Sequence, residues 1–205
     1  MRAHRGWLVV TLWFLTSLGD PAVLTAESDA GSQGWQLYTN ARFGFSVRYP
    51  TDWRVGDPMP DGIGIALYPP AEGSQVALSG FMNLVQGTSQ DGRQTLQEFA
   101  TAHRRIITEL YDRKHRVIAW QENQDTTLAG HPAKRLVFTY QNDRGQTMQE
   151  IHIFSLGRNE GRGVRIKVPG DAQKALTPVI KRMLETFEPG RDQNAVSPFV
   201  PKEKG

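Results

Sequence analysis

The sequence contains no cysteine at any of its 205 positions. Disulfide bonds, thiol nucleophiles, thiolate metal sites and lipid attachment through a cysteine are therefore excluded. Stability must come from an ordinary hydrophobic core, and a chain of this length can bury about 70% of its unfolded surface. If the chain is exported, we expect a soluble periplasmic or lumenal protein.

The familiar catalytic and cofactor motifs are also missing. There is no Gly-x-Ser-x-Gly elbow, no His-Glu-x-x-His motif, no phosphate-binding loop and no dinucleotide fingerprint. The nearest approach is Gly62 and Gly64 beside a predicted strand, which lack a third glycine and a following helix, so we interpret them as a turn. We accordingly expect no enzymatic activity and no bound cofactor.

No apolar run approaches the roughly 20 residues that a bilayer span requires. An uncharged apolar run at residues 7–18 follows a basic start and ends before Asp20 and Pro21, which is typical of a secretory signal. Residues 1–26 are predicted to be a signal peptide, and export to the periplasm, or to the thylakoid lumen of a photosynthetic source, is expected. An uncleaved anchor is the alternative, and it would need the apolar run to continue past Pro21.

The remaining chain is predicted to hold one domain. Residues 27–34 are polar and glycine-rich and form a flexible lead-in, and residues 189–205 form a disordered, proline-containing tail. Between them, residues 35–188 show no internal repeat and no linker-like break. The formal net charge of +3 is mild and does not by itself predict nucleic-acid binding.

Period-two alternation of apolar residues dominates the domain. Phe43, Phe45, Val47 and Tyr49 share one face of a predicted strand. Several other candidate strands are apolar on both faces, which is typical of strands covered on both sides. Those further strands are predicted at residues 63–68, 77–86, 116–123, 134–141, 146–156 and 164–168.

Two amphipathic helices complete the pattern. The first begins with a capping box, Thr95 to Glu98, and the second covers residues 172–187 with Pro178 inside it. Pro178 predicts either a kink or a restart with Thr177 as the cap. The predicted fold class is α+β, an antiparallel β-sheet sandwiched by helices. The apolar stripe of the first helix is predicted to contain Leu96, Phe99, Ala100, His103, Ile106, Ile107 and Leu110.

Four histidines after residue 26 are candidate ligands. His103 falls on the predicted buried stripe and is interpreted as a core residue, while His115 lies among charged residues and His131 lies in a turn. His152 shares a strand face with Glu150, a spacing that brings an imidazole and a carboxylate together. Zinc needs at least three protein ligands, so the metal assignment stays open, and an enzyme using this pair is the third hypothesis.

Asp57 and Asp61 lie in one short loop with Gly62, where carboxylates could in principle hold calcium. The spacing matches no dedicated calcium loop, and two prolines stiffen the segment. We interpret it as a turn between strands.

The strongest charged feature is a basic cluster at the end of the first helix and just beyond it. Cations at a helix C-terminus complement the helix dipole, so a merely solvated face is one interpretation. The other is a docking patch for an acidic partner protein or an anionic membrane surface. No aromatic residues are interleaved to stack on bases, so nucleic acid is not expected. The candidate patch contains Arg104, Arg105, Arg113, Lys114 and Arg116.

Four stretches of the sequence occur together in a recognisable order: FGFSVRYPTDWRV at 43–55, TLQEF at 95–99, TTLAGHPAKRLVFTY at 126–140 and MLETFEP at 183–189. In these stretches the chain resembles the PsbP-like family over nearly all of its length after residue 26. The resemblance implies an antiparallel sheet between helices and no enzymatic activity.

Photosynthetic members of that family are extrinsic subunits on the lumenal side of photosystem II, where they help the oxygen-evolving manganese cluster to retain calcium and chloride. The resemblance therefore implies a possible role for calcium, without assigning ligands to residues here. The chain lacks both a bipartite transit peptide and a lipoprotein cysteine, which favours a freely soluble periplasmic relative.

The leading hypothesis is a non-catalytic accessory protein that docks on a membrane-associated complex from the periplasmic or lumenal side. The alternative is a periplasmic protein that binds a small molecule or metal ion in a pocket between the sheet and a helix.

Overall fold

A computed structural model describes residues 34–83, 87–88, 92–114, 116–157 and 159–189. The predicted signal peptide, most of the lead-in, His115 and the tail beyond Pro189 lie outside the described residues. The described elements are β1 (Trp35–Asn40), β2 (Phe45–Pro50), β3 (Arg54–Pro58), a 3-10 turn (Pro60–Gly62), β4 (Gly64–Tyr68), β5 (Gln75–Met82), α1 (Leu96–Asp112), β6 (Ile118–Leu128), β7 (His131–Gln141), β8 (Thr147–Leu156), β9 (Glu160–Pro169), α2 (Gln173–Glu185) and β10 (Glu188–Pro189).

The strands form two antiparallel sheets. The larger sheet has seven strands in the order β3-β4-β5-β9-β8-β7-β6, and the smaller has three in the order β1-β2-β10. The larger sheet lies between α1 on one face and α2 with the smaller sheet on the other. The predicted α+β class, with an antiparallel sheet sandwiched by helices, is confirmed.

Alternation along β9 shows how the sequence divides the two faces of the large sheet. Val164, Ile166 and Val168 are buried in the core shared with α2 and the small sheet. Arg165 and Lys167 point to the opposite face, where the register places them across from His152 and Glu150 of β8.

Helix α1 covers the face formed by β6, β7 and β8. The capping box is confirmed: the Glu98 N–H donates to the Thr95 hydroxyl at 3.2 Å, and the Thr95 N–H donates to the Glu98 carboxylate at 2.8 Å. Hydrogen bonds from Thr95, and then from Thr88, lower the pKa of Glu98 to about 2. The buried side of α1 consists of Ala100, Ile107 and Tyr111.

Helix α2 covers part of the opposite face and runs unbroken through Pro178. Of the two alternatives predicted for Pro178, the restart with Thr177 as the cap does not occur, because the Thr177 hydroxyl donates to the Gln173 carbonyl within the helix at 2.7 Å. Pro178 falls in the second turn, where its missing N–H removes one hydrogen bond without ending the helix. Leu176, Ile180 and Met183 form the buried side of α2.

Residues 43–55 form a strand and a corner of the core. Phe45, Val47 and Tyr49 are buried on one face of β2, and Trp53 returns to the same core. The predicted aromatic strand face is confirmed.

Phe43 joins this corner to the large sheet. It packs against Gly80 of β5, where an added Cβ would lie 2.0 Å from the Phe43 Cγ atom. The buried Arg162 of β9 donates from its Nε atom to the Phe43 carbonyl at 3.2 Å. The contact between the two sheets therefore requires a residue without a side chain at position 80.

Strands β6 and β7 form a long hairpin at one side of the large sheet. Ala129 and Gly130 both have positive φ, 54° and 78°, which is the geometry of a two-residue type I′ turn. A bulge interrupts the register between Trp120 and Glu122. Two ion pairs cross the hairpin: Lys134 with Asp125 at 2.7 Å, and Arg135 with Glu122.

Candidate functional site

In the structure, two of the five cations of the predicted basic cluster lie over aromatic rings of the protein. The Arg104 guanidinium lies over the ring of Trp120, 4.8 Å from its centroid. Arg116 is half-buried, pairs with Asp143 and lies over Tyr140 at 5.6 Å. These two cations are therefore engaged by the protein itself.

The other three predicted cations are exposed: Arg105 on the outer side of α1, and Arg113 and Lys114 at its end. Arg113 donates from Nε to the Glu109 carbonyl at 3.3 Å, which holds its guanidinium close to the last turn of the helix. Exposed cations at this end complement the helix dipole.

Exposed apolar side chains accompany these cations. Ile106 is 50% exposed, Leu110 38% and Val117 88%. Placing Ile106 and Leu110 on the buried stripe was wrong, because α1 buries the narrower face through Ala100 and Ile107 and turns its flank outward. We refer to the combined surface as the docking face, which consists of Arg105, Ile106, Leu110, Arg113, Lys114 and Val117.

Beneath α1 lies a buried polar network centred on Glu150, whose side chain has no exposed surface. The Tyr111 hydroxyl donates to Glu150 Oε1 at 2.5 Å, and Arg165 donates to both carboxylate oxygens at 2.9 and 3.1 Å. Burial acts to raise the pKa of Glu150, but hydrogen bonds from His152 and Arg165 outweigh it and hold that pKa well below its ordinary value. Glu150 is therefore an ionised carboxylate.

The network continues to the helix through two histidines. An ionised Glu150 accepts from His152 Nε2 at 3.0 Å, which leaves His152 Nδ1 free to accept from His103 Nε2 at 2.8 Å. Burial, and then electrostatic interactions with His152 and Arg165, lower the pKa of His103 to about 4. His103 is thus a neutral, hydrogen-bonded residue between helix and sheet.

The predicted proximity of Glu150 and His152 on one strand face corresponds to a direct hydrogen bond. Sequence reasoning missed Tyr111 and Arg165, which complete the shell of the carboxylate. Arg165 stands opposite His152 in the β8–β9 register, a pairing that only the folded sheet reveals.

The remaining candidate ligands do not converge. His131 is exposed at the start of β7, Asp57 lies at the end of β3, and Asp61 belongs to the 3-10 turn, where Arg42 donates to its carbonyl. Within the residues that the structure describes, no group of three or more His, Cys, Asp or Glu side chains is placed to hold a metal ion.

A cleft of about 300 Å³ opens between α2 and the sheet. Apolar side chains make up most of its walls, and five polar or charged side chains line it as well. The lining residues are Ile151, Ile153, Ile166, Val168, Leu176, Ile180 and Leu184, with Arg135, Gln149, Gln173, Thr177 and Lys181.

No family model and no curated protein sequence matches the chain. The solution structure of cyanobacterial PsbP (CyanoP) from Synechocystis sp. PCC 6803 is similar, with a TM-score of 0.59 at 11% identity over 80% of this chain and 98% of that one. A crystal structure from Bacteroides thetaiotaomicron VPI-5482 has a TM-score of 0.51 at 14% identity, over 78% of this chain and 50% of that one. The crystal structure of LpqN of Mycobacterium tuberculosis, described as involved in cell envelope biogenesis, has a TM-score of 0.49 at 15% identity, over 75% of this chain and 89% of that one.

At these identities the likeness is one of fold, and the PsbP-like α+β sandwich that the resemblance implied is confirmed. Among the described residues, none of the helices has the length and apolar character needed to cross a membrane.

Proposed function

We propose that this chain, with its PsbP-like fold, is an exported, non-catalytic accessory protein that docks on a membrane-associated complex from the periplasmic or lumenal side. The partner is a protein whose contact surface is acidic around an apolar centre. The observation that carries this proposal is the docking face, where exposed apolar side chains and exposed cations alternate along the second half of α1 and the segment that follows it.

The composition of the docking face fits the physics of association. Interfaces combine a desolvated apolar core with a polar rim, and Ile106, Leu110 and Val117 would supply such a core. Arg105, Arg113 and Lys114 would supply a cationic rim that attracts and orients an acidic partner.

The buried network favours a structural role over catalysis. Glu150 has no exposed surface, and its carboxylate oxygens are occupied by Tyr111, His152 and Arg165. A substrate would have to displace these partners to reach the carboxylate. The double variant Glu150→Ala/His152→Ala, if it folds, should keep partner binding, because neither residue belongs to the docking face.

The first test is sedimentation of the protein with washed membranes from its source. We expect binding at low salt and release near 1 M salt, where the Debye length is roughly 3 Å. Arg113→Glu/Lys114→Glu should weaken binding about tenfold or more. The control Arg54→Glu/Lys174→Glu makes the same change in net charge at exposed positions outside the docking face. Absence of sedimentation at low salt, or equal loss in the control, would contradict the proposal.

The apolar part of the docking face has a separate signature. Ile106→Ser/Leu110→Ser removes exposed apolar surface and no charge, so we expect weaker binding with an unchanged salt dependence. A salt dependence that shifts along with affinity would show that these residues act only through their charged neighbours.

The metal-ion version of the alternative hypothesis is tested by calorimetry of the purified protein against calcium, manganese and zinc. Calcium is the ion that the family resemblance implies, and a saturable heat would favour an ion-binding role. Flat traces for all three ions would remove that version and leave the docking proposal unaffected.

A further inference from the structure

We propose that the cleft between α2 and the sheet binds an aliphatic carboxylate of medium length whose far end carries a hydroxyl group. This inference does not depend on the docking face, which lies on α1 at the opposite face of the sheet.

The walls of the cleft select an aliphatic ligand. Ile151, Ile153 and Ile166 line it from the sheet, and Leu176, Ile180 and Leu184 line it from α2. The volume of about 300 Å³ lies at the lower end of the range for small-molecule pockets. Sugars and nucleotides would leave their polar groups without partners against such walls, whereas a hydrocarbon chain would not.

The cationic end of the cleft selects an anionic head. Lys181 of α2 and Arg135 of β7 both line the cleft. Arg135 pairs with Glu122, and burial lowers the pKa of its guanidinium, so this cation is incompletely hydrated. Lys181 is exposed and supplies the additional positive charge, which a carboxylate would neutralise.

The amide end of the cleft selects a hydrogen-bond donor. Gln149 Oε1 is buried there with no hydrogen-bond partner among the described residues, while its Nε2 donates to Gln121 at 3.4 Å. A buried carbonyl without a partner is unfavourable, and a ligand hydroxyl would supply the missing donor.

The register of the sheet sets the distance between the two ends. Arg135 stands opposite Ile153 of β8, four residues along the strand from Gln149. At the rise of a β-strand, this places the cationic and amide ends about 13 Å apart. A medium-length chain with a carboxylate at one end and a hydroxyl at the other spans such a separation.

The test is titration calorimetry of the purified protein with dodecanoate, 12-hydroxydodecanoate and the dodecyltrimethylammonium cation, all below their micelle concentrations. We expect both carboxylates to bind, the hydroxylated one at least about fivefold more tightly, because a site with an unpaired polar group favours the ligand that satisfies it. The ammonium compound should not bind. Absence of carboxylate binding, or equal binding of the cation, would overturn the proposal.

Two variants test the two ends separately. Lys181→Glu should weaken both carboxylates about tenfold, whereas Lys174→Glu, an exposed lysine of the same helix outside the cleft, should leave them unchanged. Gln149→Leu should abolish the preference for the hydroxylated ligand and leave dodecanoate binding in place. Circular dichroism and thermal melting establish that each variant is folded. An unaffected Lys181→Glu variant, or a preference retained in Gln149→Leu, would refute the corresponding end of the site.

Arg113→Glu/Lys114→Glu separates this proposal from the docking proposal. Because its substitutions lie on the docking face, we expect this variant to bind both carboxylates as the unmodified protein does. Loss of carboxylate binding in this variant would show that the ligand adheres to the basic surface and not to the cleft.

Discussion

At the scale of single residues, Glu150 shows how a buried charge is retained in the core. Its carboxylate accepts hydrogen bonds from Tyr111, His152 and Arg165, which together replace the water it loses. Removing one partner of a buried charged pair leaves the other without compensation, so the arrangement is stable only as a set.

Glu150→Gln should therefore lower the free energy of unfolding by about 3 kcal/mol, toward the lower end of the range for breaking a buried pair. The lower end applies because the side chain of Arg165 is 48% exposed and stays partly hydrated. Urea denaturation measures the change. Glu72→Gln is the control, because Glu72 pairs with Arg144 on the surface. The free energy of unfolding of this variant should equal that of the unmodified protein. Equal effects of the two substitutions would contradict the assigned role of the network.

His103 gives the protein a pH dependence of its own. Its pKa is lowered from 6.5 to about 4 in the folded protein, so between these values the unfolded chain binds a proton that the folded protein does not. The contribution of neutral His103 to the free energy of unfolding is fully present above pH 6.5. We expect the free energy of unfolding to fall by about 3 kcal/mol as the pH drops to 4. The loss of stability that is linked to protonation of Glu150 begins at lower pH, below the ordinary glutamate pKa of 4.5.

Urea denaturation across this range, compared between the unmodified protein and His103→Gln, isolates the histidine. Glutamine can still donate to His152 but does not titrate, so the variant should have a flatter curve between pH 4 and 6.5. Parallel curves would show that His103 is not the group responsible.

At the scale of elements, α1 and α2 begin in different ways. α1 starts with reciprocal hydrogen bonds between Thr95 and Glu98, whereas Ala172, the N-cap residue that precedes α2, makes no side-chain capping bond. The start of α1 therefore depends on local chemistry, and that of α2 depends on packing of its apolar side.

Thr95→Ala should cost about 1 kcal/mol in the free energy of unfolding, because it leaves the Glu98 N–H without its capping acceptor. Thr101→Ala on the exposed side of the same helix is the matched control and should stay within about 0.5 kcal/mol. Chemical denaturation followed by circular dichroism measures both. A Thr95→Ala variant as stable as the control would exclude a contribution from the cap.

At the scale of the whole molecule, the two sheets meet where Phe43 packs on Gly80. A side chain at position 80 would approach both the ring and the Cβ atom of Phe43, at 2.0 and 2.5 Å, so a ring rotation alone would not relieve the clash. The docking of the smaller sheet therefore depends on one glycine of the larger.

Gly80→Ala should accordingly lower the free energy of unfolding by about 3 kcal/mol, as overpacking in a well-packed core does. Gly170→Ala is the control, because its nearest contact from an added Cβ would be an ordinary 3.5 Å to the Thr147 carbonyl. Thermal unfolding of the two variants should differ clearly. Similar melting temperatures would show that the two sheets separate at little cost.

Local patterns predicted much of this architecture. The capping box at Thr95 and Glu98 and the alternation along β2 and β9 depend on neighbours in sequence, and the structure confirms both. At Pro178 the local pattern left two alternatives, a kink or a restart, and it did not decide between them. Packing of the apolar side of α2 outweighs the local cost of the proline and keeps the helix continuous.

The candidate sites were less accessible to prediction for a physical reason. Tyr111, Glu150 and Arg165 are distant in sequence and meet only when α1 packs on the paired strands β8 and β9. Helical periodicity indicates which residues share a side, but not how wide the buried side is, and so Ile106 and Leu110 were misplaced. The cleft depends on where α2 lies across the sheet, which no local motif encodes.

The carboxylates along β6 also bear on self-association. In the described part of the chain, β6 has no strand on its outer side, and over its 11 residues it offers unpaired backbone groups to a second molecule. The bulge between Trp120 and Glu122 bends that edge, which makes it a poorer template for an incoming strand. The ion pairs that connect β6 to β7 thus also place charged side chains along the open edge, where charge discourages pairing with a further strand.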